Sequence, residues 1–309
     1  MLSSIIDSAL AHIANFFSRR PMPVVAGMSF RQVATPVGDV RLYDSAPNDA
    51  NKPCVVFVPD GPNVIEHHAA LFTLLTSQVR VVCFDMPGFG FSLPRANYGH
   101  GLNQGAAAVI GVLDALSIPK AWLAFSCGNG FYAMRAAQLA PNRVAGLFLT
   151  QTPALRVMAP WTQRMLPRAL RTPVLGQILV WLTRKKLAHG WYQVSLPRGA
   201  DASTYQSTAN DALMAGGSFC LASITHGLAR EIDTPMSGIG APCTLLWGEK
   251  DHSHKHTDPT SLLKDIPHAE IIRFADCGHF SDLEQSARYA ELLLARVGVS
   301  VSVGVHDPK

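Results

Sequence analysis

Charge is scarce in this chain. Asp, Glu, Lys and Arg make up 16% of its 309 residues, and the net charge is only +4. No block of like charges occurs, so a nucleic-acid-binding arm is not expected. No apolar run approaches the length of a membrane-spanning helix. The six cysteines (Cys54, Cys83, Cys127, Cys220, Cys243 and Cys277) lack the close pairing of a zinc site. They read as buried free thiols of a reducing, cytoplasmic compartment. Neither a G-x-G-x-x-G nor a G-x-x-x-x-G-K-[ST] segment is present, so no nucleotide, other cofactor or metal is expected. What the chain does have is apolar residues, 48% of the total, the balance of a folded globular protein.

The first twenty residues raise the question of targeting. They lack a basic leader and a small-residue cleavage site, and Asp7 and His12 interrupt them, so a secretory signal is not expected. Leu2, Ile5, Ile6, Ala9, Leu10, Ile13 and Phe17 fall on one helical face. Residues 1–20 therefore read as an amphipathic helix whose apolar face packs on its own protein or on a partner subunit, as in a homodimer. A membrane-surface role, with Arg19 and Arg20 at the helix end, is the other reading.

From residue 28 the chain reads as an opening hairpin around Gly38, then as strands alternating with helices. Continuous apolar runs at 54–61 and 79–88 mark strands buried on both faces. Further strands follow at 121–126, 144–151, 243–251 and 269–279. Helices are expected at about 103–116, 129–140 and 284–296. Alternation of this kind implies an α/β fold with a mostly parallel sheet flanked by helices, and ligands beyond the carboxyl ends of its strands. About ninety residues separate the strands at 144–151 and 243–247, too many for one crossover. Residues 155–232 therefore read as an inserted helical cap on a core of 28–154 and 233–296. The tail, 297–309, has alternating valines and reads as an edge strand or a loose end.

Ser126 sits in AFSCGNG, where an apolar strand meets a helix. A nucleophile on such a tight turn needs small neighbours two residues to either side, which Ala124 and Gly128 supply. Cys127 is set aside as a nucleophile, its side chain being expected to point away from the reacting centre. A serine needs a base, and the base needs an acid to fix its tautomer. Asp251, after the strand ending LLWGEKD, and His279, in ADCGHF, stand at later strand ends on the same sheet edge.

These motifs resemble the α/β-hydrolase superfamily over about residues 28–296. WGEKD is similar to its acid turn, and DCGHFSDLE to its segment around the base, with Glu284 in the helix that follows. DMPGFGFS (85–92) resembles its structural D-x-x-G-x-G-x-S turn, with Asp85 in a supporting role. The resemblance implies an α/β-hydrolase fold with a helical cap and a Ser126–His279–Asp251 triad. The family's His-Gly-x-Pro segment is replaced by Pro59-Asp60-Gly61-Pro62. Aligned on the proline, Gly61 and Cys127 supply the oxyanion-hole N–H groups. Sliding by one would put Pro62, which has no N–H, at the donor position. Asp60, Phe125, Trp161 and Phe280 are the expected substrate contacts. His252, His254 and His256 read as exposed loop histidines. His67 and His68 either line the pocket or cap a helix.

The cap segment carries Trp161, Trp181 and Trp191 and many basic residues against few acids. It reads as a lid with a solvated basic face, as an apolar pocket with an arginine for a carboxylate, or as a surface that docks on an anionic membrane. The expected chemistry is hydrolysis of a small, largely apolar ester or lactone through an acyl-enzyme. Carbon–carbon hydrolysis of a diketo acid, and a ligand-binding protein with little turnover, remain as alternatives.

Overall fold

The computed structural model describes residues 1–18, 23–47, 49 and 52–299. The chain opens with α1 (Leu2–Phe17) and the hairpin of β1 (Ser29–Thr35) and β2 (Gly38–Asp44). β3 (Cys54–Val58), α2 (Ala69–Leu75) and β4 (Arg80–Phe84) follow. Two short strands, β5 (Phe89–Gly90) and β6 (Leu93–Pro94), precede α3 (Leu102–Ala115) and β7 (Ala121–Ser126). After α4 (Gly128–Leu139) and β8 (Val144–Thr150) come four helices: α5 (Met158–Met165), α6 (Leu175–Ser195), α7 (Ser203–Met214) and α8 (Leu221–Arg230). The short β9 (Ser218–Phe219) lies among them. β10 (Cys243–Gly248), β11 (Glu270–Phe274), α9 (Ser281–Glu284) and α10 (Ser286–Val297) complete the described chain.

The main sheet runs β1-β2-β4-β3-β7-β8-β10-β11, with β6 paired to β2. β2 is antiparallel to β1 and β4, and from β4 to β11 every neighbouring pair is parallel. The order follows from burial. β3, β4 and β8 are almost wholly apolar, so both of their faces need cover. Leu123 and Phe125 of β7 pack with α3 and α4 on one side. On the other, Ala124 of β7 joins Phe57, Phe148 and the α10 residues Tyr289 and Leu293. The chain thus has the α/β-hydrolase fold, a mostly parallel sheet between helical layers.

The turn after β4 is held by charge. Asp85 accepts from Arg41 Nε at 2.7 Å and from the Phe91 N–H at 3.1 Å, and Arg41 also pairs with Glu66. Burial would depress Arg41, but Asp85 and Glu66 outweigh it and keep the guanidinium charged.

α1 departs from expectation. Most of its apolar stripe does not pack on the body: Leu2, Ile5, Ala9, Ile13 and Phe17 are exposed, as is Phe16, while Ile6 and Leu10 are half-buried and Ser4, Asp7, Ser8 and Ala11 are buried. Polar partners explain the inversion. Ser8 Oγ donates to the Pro94 carbonyl at 2.9 Å, and Asp7 accepts from Ser223 Oγ at the start of α8. Arg19, Arg20 and the tail from residue 300 lie outside the described residues.

Candidate active site

The residues expected as acid and base come together at strand ends. Asp251 follows β10 and His279 follows β11, and His279 Nδ1 is 2.6 Å from Asp251 Oδ2. Asp251 is saturated with donors. Oδ2 also accepts from Gln151 Nε2 at 2.6 Å, and Oδ1 accepts from the Ser253 N–H and Oγ at 2.8 and 2.7 Å. Burial would raise this carboxyl, but His279 and the other donors outweigh it and hold its pKa at about 2. Gln151 was not singled out from the sequence; its Oε1 accepts from the Gly248 N–H at 2.9 Å, tying the end of β8 to that of β10. His279 is fixed through its own N–H, which donates to the Ser195 carbonyl at 2.7 Å. Glu284 braces the loop by accepting from the Gly278 and Phe280 N–H groups at 2.8 and 3.0 Å.

The other imidazole nitrogen faces a second carboxylate. His279 Nε2 lies 3.1 Å from Asp60 Oδ2. Cys127 Sγ, an Asp60 oxygen and a His279 ring nitrogen all fall within 4.8 Å of one another. Burial alone would depress His279, yet Asp251, Cys127 and Asp60 together hold it well above its ordinary value. Burial raises Asp60, against the pull of His279. It also raises the Cys127 thiol, reinforced by Asp60 and opposed by His279 and by a hydrogen bond from the Gly128 N–H.

The strand-to-helix junction differs from expectation at two points. β7 runs through Ser126, which pairs with Thr150, and α4 begins at Gly128. The turn residue is therefore Cys127, with φ 51° and ψ −127°. A side chain in that region costs on the order of 1–3 kcal/mol and persists only where its surroundings impose it. Ser126 remains in the strand and, by alternation, shares the face of Ala124 that turns toward α10. No hydrogen bond joins its Oγ to His279 among the described residues. Cys127 cannot be the oxyanion donor either, because its N–H already donates to the Thr150 carbonyl at 2.8 Å. The N–H next to the turn residue is that of Gly128, at the start of α4, where it bonds the Cys127 thiol in place of a helical carbonyl.

A cavity of about 50 Å³ lies over this junction. Asp60, Gly61, Cys127, Gly128, Trp161 and Trp191 line it, and Ser126 does not. Gly61 is required there, since a Cβ would sit 2.6 Å from the Phe89 ring; the Gly61–Pro62 bond is cis. Trp161 is anchored by Nε1 donating to the Ser253 carbonyl at 3.0 Å. Two other expected contacts lie elsewhere. Phe125 is wholly buried against Phe84, and Phe280 packs between Tyr192 and the side of His279. Both are held away by core packing.

The loop histidines also differ from expectation. His254 is buried, stacked on both Trp161 and His279 at 5.4 and 5.5 Å, and burial lowers its pKa to about 3. His256 is exposed and His252 partly so. His67 caps a turn, accepting from the Val64 N–H at 3.0 Å, and His68 pairs with Asp282 at 2.8 Å. Neither lines the cavity.

A family model described as the alpha/beta hydrolase family matches residues 55–292. The chain belongs to that family. Among curated relatives, it is 25% identical to the 2-hydroxy-6-oxononadienedioate/2-hydroxy-6-oxononatrienedioate hydrolase of Burkholderia vietnamiensis, over 83% of this chain and 90% of that protein. It is 26% identical to the dihydrolipoyllysine-residue acetyltransferase component of the acetoin cleaving system of Pseudomonas putida. That match covers 77% of this chain and only 60% of the relative's length. Among solved structures, epoxide hydrolase A from Mycobacterium thermoresistibile superimposes with a TM-score of 0.74 at 16% identity, over 87% of this chain and 98% of that one. This family member has no helix among its described residues long and apolar enough to cross a membrane.

Proposed function

We propose that this hydrolase cleaves a neutral, largely apolar carboxylic ester or lactone through a thioester on Cys127, with His279 and Asp251 as its partners and α5–α8 as its cap. The observation that carries the reading is Cys127 itself: it occupies the strained turn, lines the cavity and lies beside His279. The thiolate is the attacking species. Its proton passes toward Asp60, whose carboxyl burial makes receptive, while the His279 imidazolium stabilises the sulfur's charge. Attack on the carbonyl carbon forms the C–S bond, and the N–H groups of Gly61 and Gly128 hold the oxyanion. His279 Nε2 gives its proton to the departing alkoxide, then takes one from the water that cleaves the thioester.

The lining supports a neutral substrate. No Lys or Arg borders the cavity, and its charged group is the carboxyl of Asp60. The dioate substrates in the names of several relatives would bring two carboxylates to a site whose nearby cation, His279, already faces Asp251 and Asp60. A groove of about 490 Å³ between residues 166–170 and α6, walled by Leu166, Leu170, Leu179 and Leu187 and bordered by Lys186, shares Trp191 and Leu221 with the cavity. The small cavity fits the reacting carbonyl, and the groove fits an apolar chain.

A panel of p-nitrophenyl esters tests this with Cys127→Ala and Ser126→Ala side by side. The first should lose at least ~10³-fold in kcat/KM and the second less than about tenfold. The reverse order would restore Ser126 as the nucleophile and sink the thiol mechanism.

A further inference from the structure

An amphipathic helix docked by its polar side leaves a problem that the fold does not solve. Phe16 is 81% exposed, Phe17 75%, Leu2 59% and Ile13 51%. Monomeric proteins seldom leave a contiguous apolar face of this kind uncovered. α1 packs against α6, where Asp7 and Leu10 meet Gln177, Val180 and Trp181. The next part of α6 round its axis exposes Leu175, Ile178 and Leu182, the last 68% exposed. Beyond that crest lies the apolar groove, walled by Leu179 and Leu187. The exposed face of α1, the crest of α6 and the mouth of the groove therefore adjoin around one helix.

The charge on α6 has one sign. From Leu155 to Ala200 the sequence contains no Asp or Glu. Lys185 and Lys186 are exposed near the crest, and neither forms an ion pair among the described residues. On α1 itself the only acid is Asp7, which is buried. An apolar helix face bordered by unpaired cations complements an anionic bilayer surface, where apolar side chains enter the acyl boundary and lysines meet lipid phosphates.

We infer that this protein docks peripherally on anionic lipid membranes through the exposed face of α1 and the crest of α6. Docking brings the groove mouth to the lipid surface, from which apolar substrates partition. The contact is independent of the nucleophile's identity, so it stands or falls apart from the proposed reaction.

The test is co-sedimentation of the full chain with vesicles of phosphatidylcholine alone and of phosphatidylcholine with about a third phosphatidylglycerol. Binding should be at least tenfold stronger to the anionic vesicles and should weaken as salt rises. Phe16→Ser combined with Phe17→Ser should reduce it at least tenfold, and Lys185→Glu alone about fivefold. Both variants should keep wild-type thermal unfolding and ester turnover, because the side chains concerned are exposed and line neither the cavity nor the groove. Three results would overturn the inference. They are no binding to either vesicle, binding indifferent to these substitutions, and a dimer that the Phe16→Ser, Phe17→Ser pair splits without any vesicle binding, which would give the face to a second copy of the chain.

Discussion

Asp60 makes the active site unusual because it points a carboxylate at the imidazole nitrogen that a nucleophile would use. It raises the Cys127 thiol through its charge and helps to raise His279 through their hydrogen bond. Asp60→Asn removes that charge, so both groups should titrate at lower pH. Iodoacetamide alkylation of Cys127, followed by peptide mass spectrometry across a pH series, should reach its plateau at lower pH in the variant. Superimposable profiles would mean that Asp60 exerts no field on the sulfur. At this scale the sequence was only partly legible. Asp251 and His279 could be found because each follows an apolar strand, whereas which residue takes the turn hinges on one residue of register. Ala124-x-Ser126-x-Gly128 fits the small-neighbour rule as a string of letters. What decides between Ser126 and Cys127 is where the sheet's last hydrogen bond falls, and the Cys127 N–H to the Thr150 carbonyl is invisible in composition. Gln151 and His254 escaped for the same reason, since each acts through a partner about a hundred or twenty-five residues away in the chain.

Among the elements, the strands were the most readable because burial on both faces leaves a continuous apolar run. α1 was the least, because periodicity reports which side chains share a face and not which face docks. Its docking depends on Asp7, a carboxyl that burial raises to about 6 against hydrogen bonds from Ser223 and Cys220. With the folded pKa above the unfolded value, the folded state is favoured most at low pH. That advantage is lost as pH rises from about 4 to about 6 and the buried carboxyl ionises. The shift corresponds to about 2–3 kcal/mol. Asp7→Asn keeps an acceptor for Ser223 without the charge. Its melting temperature relative to wild type should therefore climb by a few degrees across that pH window and stay level above it. A constant offset between the two proteins at all pH values would show that the carboxyl is not raised.

For the molecule as a whole, substrate range depends on how the small cavity communicates with the larger groove. Trp191 stands at their boundary, edge-on to both Trp161 and His279 at 5.9 and 5.3 Å. Trp191→Ala should merge the two spaces, so kcat/KM for an octanoyl ester relative to an acetyl ester should increase by about tenfold. An unchanged ratio would place the acyl chain somewhere other than the groove. The polar seam beneath α1 has a thermodynamic consequence of its own. Because Ser4, Asp7 and Ser8 make up most of its buried face, lifting α1 from the body uncovers little hydrocarbon. Heat capacity and denaturant sensitivity both track the apolar surface that is newly wetted. Calorimetry and urea unfolding therefore read the sheet and its flanking helices almost entirely, with α1 adding little to either signal.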